Sequence, residues 1–258
     1  MVVVQSEYDP LELAKETEKI VVRGDLRKYY RLSWASRWYG GISEAHCCGC
    51  CLRCVFCWSG FPRDHPEAVG DFYSPEEVYG SLTNCAVKKG LNQLRITGNE
   101  PTLGWSHLLR VLELVSKTKF LFILETNGIL IGNDRRLAKQ LSKFKNLHVR
   151  VSLKGTNREE FAKLTGAKPE GFDLQMRALE NLLDAGISFN PAVMLSFSDP
   201  HDYEKLKHEL QKIHKSLPKR VEEEYAILYP PVITRLKEAR IIPRRAFPPS
   251  ETRNRRHY

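Results

Sequence analysis

From Ser74 to Tyr229, short apolar runs of strand type alternate with longer stretches of helical spacing, and this alternation constrains the fold more than any other feature. "SPEEVYGSLTNCAVKKG" carries Ser74 as N-cap, Pro75 at the first helical position and Glu77 at the capping-box position, and it stops at Gly90. "WSHLLRVLELVSK" has apolar residues at 105, 108, 109, 112 and 115, one face of a helix. "NDRRLAKQLSKF", "NREEFAKLTG", "FDLQMRALENLLDAG" and "DPHDYEKLKHELQKIHKSL" read as further helices. Between them "QLRITG", "KFLFILETNG", "LHVRVSLKG", "SFNPAVML" and "EYAILYP" read as strands, the second of them apolar throughout, as in a strand covered on both faces. Pro191 is tolerable at the start of its strand. Such units pair their strands in parallel through right-handed crossovers. With a first strand near "GGISEAHC" there are about six of them. That is too few for a closed eight-stranded barrel, so the sequence predicts an α/β fold, a partial (β/α)6 TIM-like barrel of parallel strands.

Residues 40–230 are expected to form this barrel, preceded by an N-terminal extension, 1–39, whose aromatics (Tyr29, Tyr30, Trp34, Trp38, Tyr39) are expected to pack against the core. Residues 231–258 form a basic tail with eight Lys or Arg against two Glu, most of the chain's net charge of +9. This tail is expected to be a solvated, partly disordered end, its stretch "PRRAFPPSETRNRRHY" having no helical or strand period; an arm contacting phosphates is the alternative. No apolar run approaches the roughly 20 residues of a membrane helix. The first residues lack the basic and apolar segments of a secretory signal. A cytoplasmic, reducing location is expected, where clustered cysteines serve metal binding or catalysis rather than disulfides.

Six of the seven cysteines fall between residues 47 and 57, in "HCCGCCLRCVFCWSG". Structural zinc usually takes four ligands in two separated pairs, and no second cluster is present, since Cys85 falls in a predicted helix. A ferredoxin register fits Cys51, Cys54 and Cys57 but meets Phe61 at its fourth position. The remaining register is Cys50-x3-Cys54-x2-Cys57, with the aromatic Phe56 before the last cysteine. Cys47, Cys48 and Cys51 are expected to pack as small apolar residues at a strand end, unless one of them caps an open iron.

Ligands in parallel α/β folds collect at the carboxyl ends of the strands. The cysteine loop, "TGNEP", "ETNG" and "SLKG" each follow a predicted strand, so four strand ends direct unusual chemistry to one face. The C-x3-C-x-aromatic-C pattern, together with these segments, resembles the radical S-adenosylmethionine (SAM) superfamily over roughly residues 40 to 230. Within it, "ETNG" and "SLKG" resemble the activating enzymes of glycyl radical enzymes, of which the pyruvate formate-lyase activase is the type.

The resemblance implies that Cys50, Cys54 and Cys57 hold a [4Fe–4S] cluster with one open iron. It implies that "TGNEP" (Gly98, Asn99, Glu100) receives the amino group of the SAM methionine. Glu125, beside Thr126, would also hold that amino group, and Lys154 the carboxylate. Phe56 and Trp58 are left for the adenine. Ser152 stands where the activases carry an aspartate that helps bind a monovalent cation. The implied reaction is reductive cleavage of SAM to a 5′-deoxyadenosyl radical that abstracts hydrogen. The expected partners are a ferredoxin- or flavodoxin-type electron donor and a protein substrate whose glycine loses the hydrogen. A radical enzyme acting on a small molecule or RNA is the alternative, and a non-enzymatic iron–sulfur or zinc protein a further one.

Overall fold

The computed structural model describes residues 7–250. Nine strands, β1 (Val22–Arg23), β2 (Leu26–Ser36), β3 (Ile42–Cys47), β4 (Asp71–Tyr73), β5 (Gln93–Thr97), β6 (Leu121–Thr126), β7 (Leu147–Leu153), β8 (Ser188–Met194) and β9 (Glu222–Glu224), form one sheet. Its order is β1-β2-β3-β5-β6-β7-β8-β9, with β4 paired to β2. From β3 to β9 along this path every pairing is parallel. The crossovers are α3 (Pro75–Lys89), α4 (Trp105–Ser116), α5 (Ile129–Asn133) with α6 (Arg135–Leu141), α7 (Arg158–Thr165) with α8 (Gly171–Asp184), and α9 (Pro200–Ile213). Six parallel strands and their helices give the partial barrel expected of the sequence. α3 starts as read: Ser74 Oγ accepts the Glu77 N–H while the Glu77 carboxylate accepts the Ser74 N–H.

The segment before residue 40 does not stand apart. Helix α1 (Pro10–Val21) packs its buried Ala14, Thr17 and Val21 inward, and β2 pairs antiparallel with β3, extending the sheet by one edge. Tyr29 is buried, as expected, but Trp34 is half exposed, and Trp34, Trp38 and Tyr39 line a cavity instead of joining the core.

The last strand differs from its reading. β9 is the charged Glu222–Glu224, not the apolar run that follows. Two of these glutamates meet Arg150 inside the barrel, which offsets the cost of pairing a charged strand there. The apolar run leaves the sheet: Ala226 N–H donates to Ser196 Oγ, and Leu228 N–H to Phe247 O. Pro191 stands mid-strand in β8, opposite Val151 of β7, and β9 begins to pair only at Ala192, so the missing N–H breaks no ladder bond to β9.

The basic tail is also ordered as far as residue 250. Helix α10 (Pro230–Glu238) buries Val232 and Leu236, and the backbone N–H of Arg244 donates to Ser196 O while that of Phe247 donates to Ala226 O. Main-chain pairing to the barrel replaces the disorder expected of this stretch. Residues 251–258 lie outside the described residues.

Candidate active site

A cavity of about 430 Å³ opens at the carboxyl ends of the parallel strands. Its wall includes Cys50, Cys54 and Cys57, together with Phe56, Trp58, Gly98, Asn99, Glu100, Glu125, Thr126, Ser152 and Lys154. The fold therefore brings together every residue singled out from the sequence. Cys47, Cys48 and Cys51 are buried behind this wall and Cys85 sits on α3, as their readings anticipated.

Each cysteine of the C-x3-C-x2-C register has its own carbonyl capped by an arginine. Arg53 Nη1 donates to Cys50 O at 2.7 Å, Arg63 Nη1 to Cys54 O at 2.5 Å, and Arg235 Nη2 to Cys57 O. The three carbonyls are thereby fixed, and the three cysteines line the cavity. The adjacent Cys51 thiol lowers the pKa of Cys50, against the effect of burial. Burial pushes the Cys54 thiol up to about 12 and also raises Cys57. Metal loading at these two positions thus releases protons. Among the described residues no three His, Cys, Asp or Glu side chains converge as they would on a single ion. Cys50, Cys54 and Cys57 of one loop line one cavity, which fits a cluster whose irons each take one thiolate.

The "TGNEP" loop follows β5. Gly98 has φ of 95°, and a Cβ there would stand 3.0 Å from His46 Cβ, so only glycine keeps this loop against β3. Asn99 Nδ2 donates to Gly98 O and Ser59 O, while its Oδ1 is buried with no hydrogen-bond partner among the described residues. Glu100 does something other than wait for a ligand. Its Oε1 accepts from Thr102 N, Thr102 Oγ1 and Thr126 Oγ1, and its Oε2 from Asn127 N. That buried carboxylate ties the β5 loop to the β6 loop.

Glu125 is likewise engaged. Its Oε1 accepts from Tyr39 Oη at 2.8 Å and Arg95 Nη1 at 2.6 Å, and its Oε2 from Thr97 Oγ1 at 2.6 Å. Burial pushes its pKa up, but Arg95 and Arg150 with the two hydroxyls pull harder and hold it at about 2. The geometry thus differs from a carboxylate standing free for an amino group. Glu125 belongs to a ladder of alternating charge that runs along β3, β5, β6 and β7 and crosses past β8 to β9, from Glu44 through Arg95, Glu125 and Arg150 to Glu222 and Glu224. The sequence reading missed Glu44, Arg95, Arg150, Glu222 and Glu224. The signal was there in β5, β7 and β9, where polar residues stand at alternate positions (Gln93, Arg95 and Thr97; His148, Arg150 and Ser152; Glu222 and Glu224), the period that points side chains into a barrel.

Beneath the ladder, the turn Trp38–Gly40 closes one end, with Tyr39 in the left-handed region at φ of 52° and ψ of 29°. Its carbonyl accepts from Gln93 Nε2 and its hydroxyl reaches Glu125, contacts that hold a strained residue at the cavity wall.

Lys154 follows β7 at the cavity wall. Its Nζ donates to Ser152 Oγ at 2.5 Å, and no carboxylate among the described residues lies within ion-pair distance. Ser152 Oγ in turn donates to Glu224 Oε2. Gln175, also missed from the sequence, clasps the two loops beside it: its Oε1 accepts from Lys154 N, and its Nε2 donates to Asn127 O and Ser152 O. Phe56 is buried against Phe197 at 5.7 Å between ring centroids, while Trp58 is half exposed and meets His46 edge-on.

The family model for the radical SAM superfamily matches residues 45–210. The chain belongs to the radical SAM superfamily. Its cofactors are a [4Fe–4S] cluster and SAM. A probable GTP 3′,8-cyclase of Pyrobaculum aerophilum is 31% identical over 156 residues, 59% of this chain and 47% of that protein. The molybdenum cofactor biosynthesis protein moc-5 of Caenorhabditis elegans is 28% identical over 51% of this chain and 21% of its own length. The chain thus spans about half or less of these curated relatives. Streptococcus suis SuiB bound to SAM shares the fold, with a TM-score of 0.53 and 19% identity over 64% of this chain and 36% of that one.

Proposed function

We propose that the chain is a radical SAM enzyme acting on a small, nucleotide-like molecule bound in the strand-end cavity. The observation that carries this is the composition of the cavity wall, in which ion-paired charges line the barrel interior and aromatic and basic groups stand at its rim. Arg31 stacks over Trp34 at 4.6 Å, and Trp34 and Trp58 each expose about half their surface. Such a rim suits a planar ring carrying an anionic group. The curated relatives, by name GTP 3′,8-cyclases, add weight on the same side.

In this reading Cys50, Cys54 and Cys57 hold the cluster. Lys154 Nζ holds the methionine carboxylate of SAM, and Asn99 Oδ1, the buried acceptor without a partner, takes its ammonium. Phe56 and Trp58 flank the adenine. Bound there, the cluster and SAM supply a 5′-deoxyadenosyl radical for hydrogen abstraction from the substrate. The protein aligns the two ligands and excludes water: Glu100 and Gln175 fix the loops, and Tyr39 seals the barrel end. A one-electron donor of ferredoxin or flavodoxin type completes the cycle.

The activase reading has less support. Glu125 has both oxygens engaged, so "ETNG" does not present the free carboxylate that resemblance implied, and Ser152, already the departure from it, is bonded to Glu224; Lys154 alone keeps the implied role. The test is anaerobic. Reconstituted, reduced protein is mixed with SAM and each nucleoside triphosphate in turn, and 5′-deoxyadenosine is quantified. One nucleotide should stimulate its formation, and deuterium from that nucleotide should appear in the product. Stimulation only by a glycyl radical protein would overturn the proposal.

A further inference from the structure

The carboxyl-terminal helix reaches the cysteine loop through one side chain. Arg235 of α10 donates its Nε to Val55 O at 3.2 Å and its Nη2 to Cys57 O. A Cβ on Gly60 would stand 2.5 Å from Arg235 Nη1, so the loop's glycine makes room for this guanidinium. Arg63 lies on the same side. Its side chain is almost fully buried, its Nη1 donates to Cys54 O, and it forms an ion pair with Asp64 at 2.6 Å.

Two guanidiniums so close repel each other. Arg63 has Asp64 as its carboxylate partner at 2.6 Å, whereas Arg235 meets the carbonyls of Val55 and Cys57. Arg235 has no carboxylate within ion-pair distance among the described residues, and Asp64 and Glu238 act on its charge only from farther away. The guanidiniums of Arg53, Arg63 and Arg235 on this loop thus outnumber the one carboxylate, Asp64, paired to them. Three thiolates carrying a cluster change that balance, because their negative charge grows by one on reduction.

We propose that Arg235, with Arg63, is the electrostatic counter-ion of the cluster: it positions the cysteine loop and favours the reduced state, making α10 part of the active site. The inference rests on ligation of the cluster by Cys50, Cys54 and Cys57. Guanidiniums bonded to ligand carbonyls are outer-layer partners of a metal site, and such partners typically change metal affinity about 10–100-fold. Nearby positive charge raises a cluster's reduction potential.

Arg235→Met, which keeps bulk and removes charge, and Arg235→Lys, which keeps charge, are to be reconstituted anaerobically beside the unsubstituted protein. Iron retention against a chelator, the midpoint potential and the electron paramagnetic resonance spectrum are then compared. Arg235→Met should lose iron about 10–100-fold more readily and titrate at a more negative potential. Arg235→Lys should restore the potential. If Arg235→Met matches the unsubstituted protein in retention and potential, the counter-ion role is overturned while the cluster assignment stands. If Arg235→Met and Arg235→Lys are equally defective, the side chain acts by shape and the proposal also fails. If the unsubstituted protein takes up no cluster, both the proposal and the assignment beneath it fall.

Discussion

Glu100 Oε2 accepts the backbone N–H of Asn127 at 2.8 Å, so the loop after β5 and the loop after β6 are one rigid unit. The same carboxylate takes three further donors from Thr102 and Thr126, and it is buried. A group so fully satisfied works by holding other groups in place.

Replacing Glu100 by Ala should therefore cost stability as well as cofactor. Four donors would lose a charged acceptor in the interior, and a single buried unsatisfied group already costs about 1–3 kcal/mol. The expected outcome is a loss of about 3 kcal/mol or more in denaturant unfolding, accompanied by weaker SAM binding. If SAM affinity fell with the unfolding midpoint unchanged, Glu100 would be a direct ligand instead.

The cysteine register is decided by iron. Cys50→Ala, Cys54→Ala and Cys57→Ala should each abolish the [4Fe–4S] signal on anaerobic reconstitution. Cys47→Ala, Cys48→Ala and Cys85→Ala should retain it. Cys51→Ala should retain it too, because Cys51 is buried behind the cavity wall with Asn127 Nδ2 at 3.2 Å from its sulfur. Loss of iron in Cys51→Ala with retention in Cys50→Ala would restore the ferredoxin register.

The barrel and its ligand-bearing face were legible because they depend on local patterns. Period-2 apolar runs, helix caps such as Ser74 and Gly90, and polar segments at strand ends are all written within a few residues. What escaped depends on pairing at long range. Arg95 and Arg150 read as ordinary surface charges until β3, β6 and β9 bring glutamates alongside them. Gln175 lies on α8, and nothing local to that helix says it will clasp two loops. Arg235 was assigned to a solvated tail because its partners are carbonyls about 180 residues away, a type of partner that composition cannot show. The last strand was misplaced for the same reason: three consecutive glutamates look exposed unless Arg150 is known to face them.

Lys154 gives the test of the cofactor's carboxylate. Its Nζ has a hydroxyl partner and no carboxylate, so it can accept an anion without breaking an ion pair. Lys154→Ala should weaken SAM binding by about 1.5–3 kcal/mol, the range for a hydrogen bond to a charged group, measured by equilibrium dialysis on the reconstituted protein. Cluster content should not change, since no cysteine depends on Lys154 for a hydrogen bond. Unchanged affinity would remove Lys154 from the site.

His107 predicts an acid sensitivity distinct from the cluster's own. It is buried on α4 with Nδ1 at 2.8 Å from Asp25 O, so Nδ1 carries the proton, and Nε2 accepts from Tyr29 Oη at 3.0 Å. Burial, reinforced by Arg27, lowers its pKa from 6.5 to about 4, while Asp25 and Glu76 oppose the shift. The folded chain therefore holds this ring neutral where the unfolded chain would protonate it. The stabilisation is present above pH 6.5 and is lost as the pH falls from 6.5 towards 4. Between pH 7 and pH 5 the loss is about 2 kcal/mol. Urea unfolding at the two pH values should show this loss, and His107→Gln should remove about that much of the difference even if it lowers stability at both. An equal pH dependence in His107→Gln would show that the ring's titration contributes nothing to the slope.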